Sequence, residues 1–206
     1  MTGDDLGPSG WGSAGAAPTG ADRRRFAAAF ELMTEVLNGT RPSGMLPLVT
    51  AHARTLARVP LAFMALPAEE GNTLRIEVAV GTDSDRIRGL TVRRGRSMLG
   101  RAFSSRRAVS ARIAADQTLI GLPAGPILIL PLETGEATRG VLAVVGQPGA
   151  QPFSPATARQ MLLFCDMAAR LIEMAGARVS DTPAEPTADV TPPEEETAPL
   201  PAPGQA

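Results

Sequence analysis

The chain has 206 residues, a formal net charge of −1 and one cysteine, and all 20 of its basic residues are arginine. A single cysteine excludes an internal disulfide and a multi-cysteine metal or redox site. The absence of lysine excludes a P-loop and Schiff-base catalysis. Because no apolar run approaches the ~20 residues of a membrane span and no signal peptide opens the chain, we expect a cytoplasmic protein without membrane contact.

Composition divides the chain into one domain and two tails. Gly, Pro, Ala and acidic residues dominate residues 1–21 and 180–206, which we predict to be disordered tails. Residues 22–179 remain as a single domain, large enough to bury one core. This domain holds all 20 Arg against 13 acids, whereas the C-terminal tail holds six acids and no base. Arginine without lysine, with abundant Ala, Gly and Pro, indicates a GC-rich bacterial genome.

Two helices open the domain. The first is predicted from Asp22, a capping residue, and from an apolar stripe at helical spacing: Phe26, Phe30, Met33 and Leu37. The second is predicted to begin at Ser43 or Leu46, with Pro47 in its opening turn, and to end at Arg58. It carries His52, the only histidine, which we expect to be partly buried with a backbone or water partner.

Two strand pairs and a final helix follow. Residues 60–66 and 73–80 predict one hairpin, and residues 127–132 and 141–145 predict a second. Between them we expect short strands near residues 90–92 and 108–111, and a short helix capped by Ser97. Ser154 and Pro155 begin a last helix of roughly 23 residues, with Cys165 as a small core residue. The order predicts an α+β fold with an antiparallel sheet of five or six strands and helices on one face.

A run of arginines between the two hairpins is the most distinctive chemical feature. Residues 86–112 contain nine Arg and no acid. Such a run is most often a solvated surface. It could instead hold an anionic ligand bidentately, assisted by the helix that follows Ser97, or it could bind an acidic protein surface, this chain's own tail included. Nucleic acid is disfavoured because stacking aromatics are almost lacking.

Four segments together resemble one known family: PLAFMALPAEEGNTLRIEVAVG, GLTVRRGRSMLGRAFSSRRAVSA, GPILILPLETGEATRGVLAVVG and FSPATARQMLLFCDMAARLIEMA. Their order and spacing, over about residues 26–177, are similar to the GAF domains that precede the kinase core in bacterial two-component sensor kinases. The resemblance implies helices on one sheet face and, on the other, a ligand cavity roofed by residues 87–126. It also implies that the terminal helices, Phe26 to Leu37 and Met161 to Ala175, pair in a homodimer or contact a partner signalling protein.

Residues that specialised members of that family need are missing here. Covalent bilin attachment needs a suitably placed Cys, but Cys165 falls on the final helix. Haem needs an axial His near the cavity, and none follows His52. The cyclic-nucleotide signature contains Lys, and GAF-type methionine sulfoxide reductases use several cysteines. We therefore expect no cofactor and no metal, and a chain that lacks the kinase core.

The resemblance and the residue types together predict a ligand site and a function. We expect a small, anionic ligand to contact Phe63, Ile76, Arg93, Arg96, Ser97, Leu99, Arg101, Val109, Ile127 and Ile129. The predicted protein is a non-catalytic regulatory module that senses a small molecule or docks on a partner such as a sensor kinase. The alternative is a dimerisation or scaffold domain with a filled cavity. An enzyme is disfavoured because no nucleophile elbow is present and any general base would have to be His52.

Overall fold

The fold is an antiparallel sheet with helices on both sides. A computed structural model describes residues 19–69, 71–114, 121–135 and 137–180. The predicted tails, residues 1–21 and 180–206, lie outside this range except for residues 19–21 and 180, which belong to helix ends.

The helices and strands follow the predicted order. The helices are α1 (Gly20–Leu37), α2 (Pro42–Ala57), α3 (Ser84–Ile87), α4 (Met98–Ser105) and α5 (Pro155–Ser180). The strands are β1 (Leu61–Pro67), β2 (Thr73–Gly81), β3 (Thr91–Arg93), β4 (Val109–Ile113), β5 (Gly125–Thr134) and β6 (Ala137–Val145).

All six strands form one sheet in the order β3-β2-β1-β6-β5-β4. The β1–β2 and β5–β6 hairpins are joined where β1 pairs antiparallel with β6, from Leu61 opposite Val145 to Ala65 opposite Val141. The two central strands are apolar on both faces, so both sides of the sheet need a cover. The predicted α+β fold with an antiparallel sheet is confirmed, and the strand number is six.

Helices α1, α2 and α5 cover one face of this sheet. From the sheet, Met64, Leu130 and Leu142 are buried in that core, and Phe164 of α5 is fully buried against them. The residues of α1 that pack into this core are Ala28, Leu32 and Val36. They are not the apolar stripe from which the helix was predicted. That stripe is exposed to solvent: Phe26 is 61%, Phe30 75%, Met33 40% and Leu37 63% exposed. Helix α1 therefore has two apolar faces, and only one of them packs on its own domain.

The starts of the first two helices differ from the prediction. Thr19, not Asp22, is the N-cap of α1, and Asp22 completes a capping box by accepting hydrogen bonds from the Thr19 backbone and hydroxyl. These bonds hold the pKa of the Asp22 carboxyl below its ordinary value. α2 begins at Pro42, so Pro47 lies inside the helix rather than in its opening turn. Pro42 takes the first helical position, where a missing N–H costs least.

Cys165 is a core residue, as predicted. Its side chain is fully buried, and its Sγ donates a hydrogen bond to the Pro131 carbonyl of β5 at 3.2 Å. Burial, with smaller contributions from the charges of Asp166 and Glu133, raises the pKa of this thiol. The thiol is therefore held in its neutral form.

The buried Cys165 thiol makes stability depend on alkaline pH. Its raised folded-state pKa stabilises the native protein fully below the unfolded thiol's pKa, and this contribution is lost as pH rises through the folded-state value. We expect the free energy of unfolding to fall above pH about 8.5, by up to about 1.4 kcal/mol per pH unit. Urea unfolding of the reduced protein between pH 7.5 and 10 measures this. Cys165→Ala should show a shallower slope, and identical slopes would contradict the assignment.

Candidate ligand cavity and its arginine rim

The second sheet face carries a cavity beneath α4. An apolar layer on that face includes Phe63, Ile76, Ile127 and Ile129, which are buried together with residues of α3 and α4. The cavity beside this layer has a volume of about 480 Å³, within the range of small-molecule sites. Its lining residues are Thr73, Thr91, Val92, Arg93, Arg96, Ser97, Met98, Leu99, Leu122, Ile127 and Ile129.

The turn before α4 fixes this helix above the cavity. Ser97 is its N-cap, accepting a hydrogen bond from the Gly100 N–H at 2.9 Å. The Ser97 hydroxyl also donates to the Arg93 carbonyl at 2.8 Å. Leu99 and Ala102 are then buried toward the sheet. One serine thus links the end of β3, the turn and the helix that together form the cavity rim.

Gly100 allows the close packing of this turn. It is buried, and a Cβ atom at this position would overlap the backbone of Arg94, its carbonyl oxygen above all. Gly95, in the same turn, has no heavy atom within 4 Å of a Cβ position. The absence of a side chain is therefore required at Gly100 and not at Gly95.

The nine arginines of residues 86–112 differ in whether their side chains form ion pairs or hydrogen bonds. Arg106 pairs with Glu133 at 3.4 Å, Arg112 donates to the Ala150 carbonyl at 2.6 Å, and Arg88 donates to the Ala79 carbonyl at 3.2 Å. Arg86 also pairs with an acid, Asp83. Other members make no ion pair or side-chain hydrogen bond with any described residue: Arg93, Arg94, Arg96, Arg101 and Arg107.

Two of these unengaged arginines, Arg93 and Arg96, line the cavity. Both are exposed, and most of the other residues that line the cavity are apolar. Arg94, between them in sequence, instead stacks over the Phe103 ring with its Cζ 4.5 Å from the ring centre. The geometry offers an apolar pocket with two arginines and a serine at its edge, which suits a ligand with an anionic head and an apolar body.

The structure brings most of the predicted site residues together. Arg93, Arg96, Ser97, Leu99, Ile127 and Ile129 all line the cavity. Phe63 and Ile76 are buried in the apolar layer beside it, and Val109 packs partly buried against that layer. Arg101 does not line the cavity and belongs to a separate concave surface on α4.

Other lining residues were not predicted: Thr73, Thr91, Val92, Met98 and Leu122. Thr73 reaches the rim because β2 pairs with β3 so that Thr73 lies opposite Arg93. That register is a long-range property. The sequence could have indicated that Thr73 lines the cavity only if the strand predicted at residues 90–92 had been paired with β2.

A second cleft, about 600 Å³ in volume, lies on the helical face between α2, α5 and the sheet. Its main charged side chain is already held: Arg139 donates from Nε to the Thr134 hydroxyl at 3.0 Å and pairs with Glu173 at 3.7 Å. This cleft therefore lacks the unengaged positive charge of the α4 cavity.

Among the described residues, no His, Cys, Asp or Glu lines the α4 cavity. His52 of α2 pairs with Glu31 of α1, with 3.2 Å between Nε2 and the carboxylate oxygen. His52 is partly buried, as predicted, and the partner that the structure shows for it is a carboxylate rather than a backbone group. In the described ranges, no group of three or more His, Cys, Asp or Glu could hold a metal ion. Nor do those ranges contain a helix with the length and apolar character needed to cross a membrane.

Comparison with known proteins identifies the family. The family model for the GAF domain matches residues 46–174, so the chain belongs to the GAF domain family. In homologues this domain is a ligand-sensing and regulatory signalling module. Members commonly bind small ligands, and they dimerise or interact with signalling partners.

Solved structures share this fold. The second GAF domain of DevS from Mycobacterium smegmatis is 27% identical, with 68% of this chain and 98% of that one covered and a TM-score of 0.62. A free methionine-R-sulfoxide reductase from Neisseria meningitidis, in complex with its substrate, is 16% identical over 80% and 96% of the chains, with a TM-score of 0.60. A phycoerythrobilin-bound GAF domain from a cyanobacterial phytochrome is 9% identical over 75% and 97%, with a TM-score of 0.59.

The close packing at Gly100 leads to a test of the α4 anchor. We expect Gly100→Ala to lower the free energy of unfolding by about 1–3 kcal/mol, because the new Cβ must displace the Arg94 backbone. Gly95→Ala should change it by less than about 0.5 kcal/mol. Chemical denaturation of both variants measures the difference. Equal stabilities would show that Gly100 does not constrain the turn.

Proposed function

We propose that this GAF domain is a non-catalytic sensor that binds a small amphipathic anion in the α4 cavity and signals to a protein partner. The observation that carries the proposal is an apolar cavity of about 480 Å³ with two unengaged arginines at its rim. Guanidinium groups bind carboxylates and phosphates through two parallel hydrogen bonds. The apolar walls below them increase the affinity for a ligand that also has a hydrophobic part, because binding removes its apolar surface from water.

The same geometry argues against the specialised cofactors of the family. The only cysteine and the only histidine of the chain are on α5 and α2. Both helices pack on the sheet face opposite the α4 cavity. A bilin in that cavity would lack an attachment thiol, and a haem would lack an axial histidine. The proposed ligand is therefore held without a covalent bond or a metal–histidine bond.

The ligand proposal predicts a dependence on ligand charge. Octanoate should raise the melting temperature of the protein in a concentration-dependent way, and 1-octanol, its neutral analogue, should raise it less. Arg93→Gln and Arg96→Gln should each weaken octanoate binding about tenfold or more, the value of one charge-assisted hydrogen bond. Thermal shift and isothermal titration calorimetry measure both effects.

The control for this experiment is Arg107→Gln, which removes an unengaged arginine of the same segment that does not line the cavity. It should leave octanoate binding unchanged. Equal losses in all three variants would indicate nonspecific charge attraction. If neither octanoate nor benzoate binds, the alternative of a scaffold domain without a ligand gains support.

The second face of α1 supports a dimerisation function. The exposed residues Phe26, Phe30, Met33 and Leu37 follow one another at intervals of four, three and four, the spacing of a coiled-coil seam. Leu163 and Met174 of α5 are also exposed, at 51% and 47%. Clusters of large exposed apolar side chains often mark interaction sites. We propose that these helices form a homodimer or contact a partner such as a sensor kinase, in the cytoplasm.

Dimerisation through α1 can be tested by introducing one charged residue into its exposed apolar stripe. Phe30→Asp should convert the dimer to a monomer, because an unpaired carboxylate in an apolar helix seam is strongly disfavoured. Thr55→Asp, on an exposed position of α2, should leave the dimer intact. Light scattering coupled to size-exclusion chromatography gives the mass of each. If the wild-type protein is itself a monomer, homodimerisation is ruled out, and contact with a different partner protein remains as the function of this stripe.

A further inference from the structure

A second basic concavity lies on the outer side of α4. Its volume is about 570 Å³, and none of the described residues that line it is acidic. Three arginines, three serines, two glycines and one methionine line it: Arg94, Gly95, Arg96, Ser97, Met98, Gly100, Arg101, Ser104 and Ser105. We name this region the outer arginine surface.

The arginines of this surface lack acidic partners. Arg94, Arg96 and Arg101 make no ion pair with any described residue, and the Arg94 Nε atom is buried without a hydrogen-bond partner. Arg94 is held in place by stacking on Phe103. Three positive charges are thus gathered in one concave surface without compensation.

The chain itself contains the complementary segment. The six acids that follow α5 include three consecutive ones, Glu194, Glu195 and Glu196, and no base accompanies them. We propose that Glu194–Glu196 docks on the outer arginine surface, pairing three carboxylates with three guanidinium groups. Bidentate pairing of arginine with carboxylate favours this match over a diffuse attraction.

The connection is long enough. The thirteen residues 181–193 can span about 40 Å in an extended, proline-rich conformation. The diameter of a small domain is about 30 Å. The last turns of α5 also lie near the β5–β6 hairpin, since Glu173 pairs with Arg139 there, and Arg106 at the end of α4 contacts Glu133 of the same hairpin. A tethered segment at such a distance acts at an effective concentration on the order of millimolar.

Docking of the tail would regulate the cavity. Arg96, Ser97 and Met98 belong both to the cavity lining and to the outer arginine surface. A tail carboxylate that holds Arg96 on the outside removes it from the rim, so the tail competes with an anionic ligand. This regulatory step rests on the proposed function, whereas the docking does not.

Docking is tested in the full chain with a spin label beyond the acidic run. A nitroxide on Ala198→Cys should broaden the amide signals of residues 94–105 in NMR spectra. The buried Cys165 thiol stays unlabelled in the folded protein. Glu194→Gln, Glu195→Gln and Glu196→Gln together should abolish the broadening, as should 1 M salt, where the Debye length is about 3 Å.

Two matched variants separate docking from general charge attraction. Asp181→Asn, Glu185→Gln and Asp189→Asn together remove the same charge from the same tail and should preserve most of the broadening. Arg101→Gln should reduce it strongly, and Arg107→Gln should not. Equal loss with both tail variants, or broadening elsewhere on the domain, would overturn the proposal. Absence of broadening in the parent chain would also overturn it and leave the surface to an external acidic partner.

The regulatory step has its own readout. The Glu194–Glu196 glutamine variant should bind octanoate at least about fivefold more tightly than the parent chain, the lower end of typical coupling between sites. Unchanged octanoate affinity despite docking would overturn the competition. If octanoate binds neither protein while the broadening is present, the docking stands and the proposed ligand class fails.

Discussion

The antiparallel pairing of β1 with β6 is the constraint on which the rest of the structure depends. It joins two hairpins into one sheet, and over the paired segment, from Leu61 to Ala65 and from Val141 to Val145, both central strands are buried. A sheet that is apolar on both faces must be covered twice. Three long helices cover one face closely. Among the described residues, α3, α4 and connecting turns cover the other face, and the cavity lies on that side.

The chemistry of that cavity follows from how its lid is anchored. Ser97 and Gly100 fix α4 against the Arg93–Arg94 backbone through a capping hydrogen bond and a contact that excludes a Cβ atom. In the turn before α4, Arg93 and Arg96 are exposed and line the cavity, whereas Arg94 stacks on Phe103. Positive charge therefore collects at the cavity and on the outer side of α4. An anionic ligand and the acidic tail would both use this charge.

The signalling proposal depends on a separation of faces. The cavity lies under α4, whereas the exposed stripe of α1 and the outward residues of α5 lie across the sheet. The strands contribute side chains to both cores, because alternate residues such as Phe63 and Met64 of β1 point to opposite faces of the sheet. A ligand that shifts the sheet can therefore change the packing of helices that contact a partner. In the proposed mechanism, the shared strands would connect a ligand on one face with a partner on the other.

The order and spacing of four sequence segments carried the resemblance to the family. Local patterns predicted the order of the helices and strands, the Ser97 and Ser154 caps, and the burial of Cys165, because these depend on periodicity and capping within a few residues. They placed the starts of α1 and α2 later than the structure does. Only the tertiary structure decided which apolar stripe of α1 is buried, that Arg93 and Arg96 line the cavity while Arg101 lies outside it, and that His52 pairs with Glu31. Each of these depends on contacts between segments that are distant in sequence. The spacing of residues along one helix or turn does not determine those contacts.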